Sequence, residues 1–369
     1  GPVGLAAALL VADRGYDVAL VGPLAPAEER TSALLAGSIA LIDRIGVWRT
    51  VAPAAAPLKH LRIVDATSRL IRAPEVTFHA HEIDLDAFGH NVPNSALVAA
   101  LEAAVAERPI ARINDLVRAV ACHPDALTLE LAGGGTIAAK LVVAADGRRS
   151  AVRDGLGIPV SEWRYDQSAL VCNLGHALAH DDTSTEFHTE TGPFTLVPLP
   201  GRRSSLVWVD APHQTERRLG LGDGELAAEI ERQSASILGE ISIEGRRQAF
   251  PLSGMTARRL TGPRAMLVGE AAHAFPPIGA QGLNLGYRDV AALDAILCDP
   301  RTDPGADDGL AAYQRLRRAD VAVRAAAVDA LNRTLLSDFL PVQGLRGFGL
   351  FLLDRVPALR RLAMRQGVG

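Results

Sequence analysis

The sequence predicts an α/β protein in which helix–strand units at both ends enclose an antiparallel sheet, with a helical region closing the chain. Three observations lead there. An Ala- and Leu-rich helical stretch at 4–14 runs straight into the short apolar strand Asp17–Val21, which is half of a βαβ unit. Between Arg164 and Asp210 the alternating segments 168–176, 184–190, 194–199 and 204–210 are parted by turn residues, the pattern of an antiparallel sheet. From Gly309 to Arg365 the apolar spacing is helical.

The first unit continues with Thr31–Ile45, whose spacing predicts a helix, and with the strands Leu61–Asp65 and Val76–His79. Asn94–Ala106 reads as a helix capped by Asn94 after Pro93. Short strands from 111 to 143 are broken at His123-Pro124 and Gly133-Gly134-Gly135, and Leu141–Ala144 ends before Asp146-Gly147. The strand Ala265–Val268 leads through a Gly- and Pro-rich loop to a helix at about 281–297. These elements predict a discontinuous unit (1–66, 90–158 and 250–300), an inserted unit (67–89 and 159–249) and a helical region at 301–369.

A chain of 369 residues exceeds one domain of roughly 150 residues, and 48% hydrophobic against 22% charged residues excludes a disordered chain. Its 38 basic and 42 acidic residues leave a net charge of −4, so no global basic field points to nucleic acid. Cys122, Cys172 and Cys298 lie far apart without C-x-x-C spacing, which argues against a disulfide framework or zinc site and for a reducing compartment. The apolar run Val3–Ala12 is about half of the roughly 20 residues that cross a bilayer, so neither a signal peptide nor a spanning helix is expected and the location is read as cytoplasmic.

Three motifs carry chemistry. Gly1 and Gly4 open a helix at the spacing of the last two glycines of G-x-G-x-x-G, where one lets the backbone approach a pyrophosphate and the other lets helix pack on strand. A strand and a first glycine are expected ahead of them. A plain helix start gives the same two glycines, and Gly22 stands where a ribose-binding acid would close the next strand. Asp146-Gly147 follows a strand and precedes a helix, which suits either a nucleotide crevice or an Asp-capped turn. The string from Leu267 to Asp289 contains Gly269, Glu270, His273, Pro276, Pro277, Gly279, Gln281, Gly282, Leu283 and Asn284. There a strand delivers an acid, prolines fix a loop, and glycines enter a helix whose unpaired N–H groups favour an anionic ring. His273 has no second ligand at helical or strand spacing and reads as structural, and His79 with His81 lacks the partners of a metal site. No G-x-S-x-G elbow supports a Ser-His-Asp triad.

In this order and spacing the motifs resemble flavin-dependent aromatic hydroxylases of the para-hydroxybenzoate hydroxylase fold, over nearly the whole chain. The strings Arg30–Leu34, Trp163–Val171, Gly192–Leu199 and Leu206–Trp208 resemble the ubiquinone-biosynthesis hydroxylases of octaprenyl phenols. The resemblance implies a Rossmann-like FAD-binding domain with an antiparallel substrate domain. Gly1 and Gly4 would face the FAD pyrophosphate, and Asp146 and Gly147 would line the approach of FAD and nicotinamide. Gly269 and Glu270 would lie at the ribityl or pyrophosphate region, Pro276 and Pro277 beside the isoalloxazine, and Gly279 and Gln281 in the loop that leads to the N–H groups of Gly282, Leu283 and Asn284 at its N1/O2 edge. Glu270 stands where the family has Asp, and Gly279-Ala280 where it commonly has Ala-Gly.

The implied reaction has NADH or NADPH reduce FAD, O2 add at flavin C4a, and the hydroperoxide pass one oxygen to a prenylated phenol. Such a substrate implies a peripheral membrane or quinone-biosynthesis complex contact. From Arg346 to Gly369 five arginines face one acid among many apolar residues. This stretch either lies on anionic lipid or buries its apolar stripe on the FAD domain or a partner subunit. Two other readings stand beside the main one: a non-catalytic flavin-fold assembly partner, and a related flavoenzyme that reduces prenyl double bonds or hydroxylates a small soluble aromatic.

Overall fold

Proline in the first turn and an unbroken Ala/Leu run make Pro2–Asp13 a helix, and most of its circumference is buried, from Leu5 through Leu10. The computed structural model describes residues 1–24, 28–68, 72–276, 280–336 and 355–368. The first helix packs on two parallel strand pairs, Val18–Val21 with Ile110–Ile113 and Val142–Ala144 with Ala265–Leu267, which are separate sheets among the described residues. Leu5, Leu9, Val268, Leu285, Tyr287 and Tyr313 share one buried core there.

An eight-stranded sheet forms the second layer, in the order His273–Ala274, Ile241–Ala257, Val160–His176, Arg203–Asp210, Pro193–Leu199, Thr183–His188, His60–Asp65, Val76–His79. Its one parallel pairing joins His60–Asp65 to Thr183–His188, so that strand stands in the large sheet although it lies ahead of the boundary expected at residue 66. Period-2 alternation gives the sheet two apolar faces. On one, Leu206 and Trp208 pack under the helices Pro212–Leu219 and Asp223–Gln233. On the other, Ala169, Val209 and Leu252 cluster with Tyr165, Val171 and Val207.

Two local expectations give way to long-range hydrogen bonds. Thr31–Leu35 is a strand paired with Gly89–Pro93, and the helix starts only at Ala36. Helical spacing there loses to the ladder and to the Asn284 side chain, whose Oδ1 accepts from Leu35 N–H at 2.9 Å. Asn94 is no cap: Pro93 holds the cap position, and Asn94 Oδ1 accepts from Ser32 Oγ at 2.7 Å. His79 and His81 share no strand face, since His79 ends its strand and His81 lies in the following turn. Their rings stack at 5.3 Å, and His79 Nδ1 is 2.8 Å from His60 Nδ1.

The helix Pro357–Val368 docks on the outer edge of the large sheet, while residues 346–354 of the basic apolar stretch lie outside the described residues. Met364 enters a cluster with Val76, Phe78, Ile83 and Phe88. Arg360 pairs with Glu82 at 2.6 Å and lies 4.6 Å over the Phe78 ring. The inward stripe of this helix is therefore buried on the inserted sheet rather than on the first unit. Replacing Arg360 by Ala removes a charged hydrogen bond, a change on the order of 1.5–3 kcal/mol. Amide exchange over 357–368 should accelerate about tenfold or more, with the large sheet unchanged, as read by hydrogen-exchange mass spectrometry.

Candidate functional site

The string that begins at Leu267 folds back onto the opening residues. A Cβ on Gly286 would stand 2.6 Å from Val3 Cγ2 and 3.3 Å from Gly269 Cα, so only glycine lets the two helices approach this closely. Gly269 meets Val3 from the other side, and its φ of +57° is a second reason for glycine. Gly4 faces Ala145, with only 3.1 Å left for a Cβ. The first helix's start, the end of strand Val142–Ala144 and the Gly269–Ala271 turn thus meet in one place.

A buried carboxylate holds that place together. Asp289 has no exposed surface; its Oδ2 accepts from Gly269 N–H at 2.9 Å and lies 2.6 Å from His273 Nε2, and its Oδ1 accepts from Arg317 Nε at 2.7 Å. Tyr313, one turn before Arg317 on the helix Asp307–Leu336, donates its hydroxyl to Leu267 O at 2.8 Å. His273 is accordingly structural, and its ring stacks on Phe275 at 5.8 Å. Asp289 stands at the end of the motif string, where its charge was the available signal. Arg317 lies in an ordinary helical pattern and carries no local signal.

The expected binding residues fall around this knot. Asp146 is exposed and its Oδ2 accepts from Val152 N–H at 3.2 Å, but the cap of the helix Ala151–Gly155 is Ser150, whose Oγ accepts from Arg153 N–H at 2.9 Å; Gly147 follows Asp146 with φ +82°. Buried Arg153 donates to Arg148 O at 3.0 Å and Ala271 O at 3.2 Å, which ties the Asp146 turn to the Glu270 turn. Glu270 is exposed near Arg30, whose guanidinium lies 4.9 Å over the Phe250 ring. Burial lowers the Arg30 pKa and the Glu270 charge works against that shift. Gly1 and Gly282 face open space, where a Cβ would meet nothing within 4 Å. Pro276 and Asn284 are buried and Leu283 is half-buried against the core. Pro277 and Gly279 lie outside the described residues, and Gln281 opens the helix Gln281–Ile296.

Asn284 is committed through its side chain. Its Oδ1 accepts from Leu35 N–H and from Ser38 Oγ at 2.7 Å, and its Nδ2 donates to Ala33 O at 2.7 Å and Ala280 O at 2.6 Å. Its helix, Gln281–Ile296, is entered from Ala280 in the left-handed region, with no side-chain cap bond among the described residues. Among the described residues the helix's first N–H groups therefore have no side-chain acceptor, which suits an anionic group. The glycine start, the uncapped helix end and the exposed acid beside Arg30 fit a flavin dinucleotide, which needs close backbone approach at its phosphates and donors at its ring edge.

The inserted sheet closes the other side. Trp163 is 6.4 Å from Phe275 and donates Nε1–H to Tyr165 Oη at 2.9 Å, and Tyr165 leads onto the Ala169–Val209–Leu252 face. Thr31 Oγ1 donates to Ser205 Oγ at 2.9 Å and Asn91 Nδ2 to Pro198 O at 2.9 Å, fastening the two layers. Among the described residues no group of three or more His, Cys, Asp or Glu is placed to hold a metal ion.

A family described as "FAD binding domain" matches residues 1–329 of this chain. The ubiquinone hydroxylase UbiL of Rhodospirillum rubrum is 34% identical, the match covering 100% of this chain and 88% of that protein. The 3-demethoxyubiquinol 3-hydroxylase of Escherichia coli is 33% identical over 100% of this chain and 96% of its own length. Among solved structures, p-nitrophenol 4-monooxygenase PnpA of Pseudomonas putida superposes with a TM-score of 0.80 at 18% identity, over 99% of this chain and 95% of that one. HpxO of Klebsiella pneumoniae, solved with FAD and uric acid, gives 0.75 at 18%, over 95% and 90%. At such identities the structures share the fold.

Asp289→Ala leaves buried Arg317 with Asp320, at 2.6 Å, as its remaining carboxylate and Gly269 N–H without its acceptor. Breaking a buried pair in this way costs about 3–5 kcal/mol, so urea denaturation should show a loss of that order, and Asp289→Asn, which keeps acceptors at the site, a smaller one.

Proposed function

The chain belongs to this FAD-binding domain family, and on that premise we propose that it is an FAD-dependent monooxygenase that hydroxylates the ring of a prenylated phenol in ubiquinone biosynthesis, with NADH or NADPH and O2 as co-substrates. The observation that carries the reading is the meeting of the Gly1–Gly4 helix start, the Asp146–Gly147 turn, the Gly269–Ala271 turn and the helix Gln281–Ile296, with an apolar sheet face beyond Phe275 and Trp163. The two relatives named for ubiquinone chemistry, matched along the whole chain, support the substrate class.

Gly1 and Gly4 would admit the pyrophosphate to the first helix's positive end. Asp146 and Gly147 would border FAD and the nicotinamide approach, and Gly269 and Glu270 the ribityl chain. Pro276, Pro277, Gly279 and Gln281 would frame the isoalloxazine, and the N–H groups of Gly282, Leu283 and Asn284 would meet its N1/O2 edge. Bound there, FAD would supply the electron storage and oxygen activation that no side chain provides. The protein's own share is position and dryness. Tyr165, Val171, Val207, Val209 and Leu252 offer a wall that takes up an apolar ring and chain, and Trp163 against Phe275 closes it toward the loop.

A polyprenyl phenol partitions into lipid, so the enzyme should meet it at a membrane surface. No helix among the described residues is long and apolar enough to cross one. The outward face of Pro357–Val368 shows Leu359 and Leu362, 45% and 55% exposed, beside exposed Arg361 and Arg365, a composition suited to anionic lipid. Liposome sedimentation should fall on Leu359→Ser with Leu362→Ser.

Asp146→Ala and Glu270→Ala should each weaken FAD retention at least tenfold on the scale of one charged hydrogen bond, with circular dichroism unchanged; equilibrium dialysis with FAD checks this. In wild-type protein, NAD(P)H oxidation should be stimulated by a prenylated phenol and not by 4-hydroxybenzoate, and the reverse preference would overturn the substrate assignment.

A further inference from the structure

On the helix-covered face of the large sheet, opposite the Val209–Leu252 wall, the helices stop short and leave a recess of about 300 Å³. Strand alternation fixes the side: Ser204, on this face with Leu206 and Trp208, lines it, whereas Ser205 turns to the layer junction. Arg62 lines the recess one alternation up its strand from Val64, which packs on the apolar cluster. Its Nε and Nη2 donate to Thr185 Oγ1 at 3.2 and 3.1 Å, and among the described residues no carboxylate pairs with it. Thr185 is 2% exposed; because its oxygen accepts from Arg62, its own hydrogen is left to donate.

The other polar groups are occupied. His180 donates Nε2–H to Leu199 O at 2.9 Å and accepts Asp182 N–H on Nδ1 at 3.1 Å. His176, with its pKa lowered by burial, gives Nδ1–H to Leu178 O and takes the Ser204 hydroxyl hydrogen on Nε2. Thr183 donates to Asp181 O. The remaining lining includes Leu196, Ile237 and Leu238. Both rims hold non-glycine residues in the left-handed region, Asp181 and Asp182 on one side and Ala235 and Ser236 on the other. Asp182 is paired with Lys59 at 2.9 Å, while exposed Asp181 sits at the mouth.

We propose that this recess is a second binding site, for a small organic anion whose oxyanion head meets Arg62 and Thr185 and whose short apolar body lies against Leu196, Ile237 and Leu238. The Arg62 guanidinium and the Thr185 hydroxyl offer two donors and call for an oxyanion, and the leucine and isoleucine surface calls for carbon.

The test uses pentanoate, 1-pentanol and inorganic phosphate as probes in saturation-transfer NMR with the full chain. Pentanoate should bind, and Arg62→Met should weaken it about tenfold, the scale of one charged hydrogen bond. Ile237→Asp, on a half-exposed loop, should weaken it as well and guards against a folding artefact of the Arg62 change. FAD retention should be the same in both variants. Equal pentanoate binding by wild type and Arg62→Met, 1-pentanol binding as tightly as pentanoate, or phosphate binding as tightly as pentanoate would each overturn the proposal.

Discussion

The arrangement of the candidate cleft depends on one desolvated carboxylate. Burying Asp289 costs several kcal/mol unless partners replace water, and three do: a guanidinium from the helix Asp307–Leu336, an imidazole from the loop and the backbone N–H of the Gly269 turn. The partners come from three different segments, which the one carboxylate ties together. The same charge therefore sets the angle of the turn carrying Glu270, the placement of the His273–Phe275 stack and the docking of a helix from the last third of the chain.

Small residues do the complementary work by leaving room. Val3 can sit between Gly269 and Gly286 because neither offers a Cβ, and Ala145 lets Gly4 come close. Where space is left rather than filled, at Gly1 and Gly282, the protein presents backbone without side chains, which suits recognition of phosphates and a heterocycle by N–H groups. The opposite boundary is apolar and belongs to the inserted sheet, so the polar and the oily halves of the cleft come from different layers.

Much of this was legible in the linear sequence because the motifs are local. The Leu267–Asp289 string shows its strand, turn and helix through Gly, Pro and apolar spacing alone, and the alternation between 164 and 210 shows the sheet. Thr31–Leu35 was misread because helical spacing is a local signal, while its strand state is decided by Gly89–Pro93 and Asn284. Asn94 has the composition of a cap, yet Ser32 claims its oxygen. Arg317 and Arg153 look like surface arginines until the fold buries them against Asp289 and Ala271. Such partners are set by tertiary approach and leave no trace at helical or strand spacing.

The Asn284 bonds to the strand at 31–35 bridge a sequence separation of 249 residues for Leu35, and Val3 waits for Gly269 and Gly286 in the same manner. Synthesis at roughly 5–20 residues per second would put the better part of a minute or less between the two partners leaving the ribosome. During that interval the first helix can pack on the strands 18–21 and 110–113 and the helix 94–106, but its face toward the helix Gln281–Ile296 stays uncovered. The contacts that join residues 3 and 31–38 to residues 269–286 can therefore take shape only late in translation.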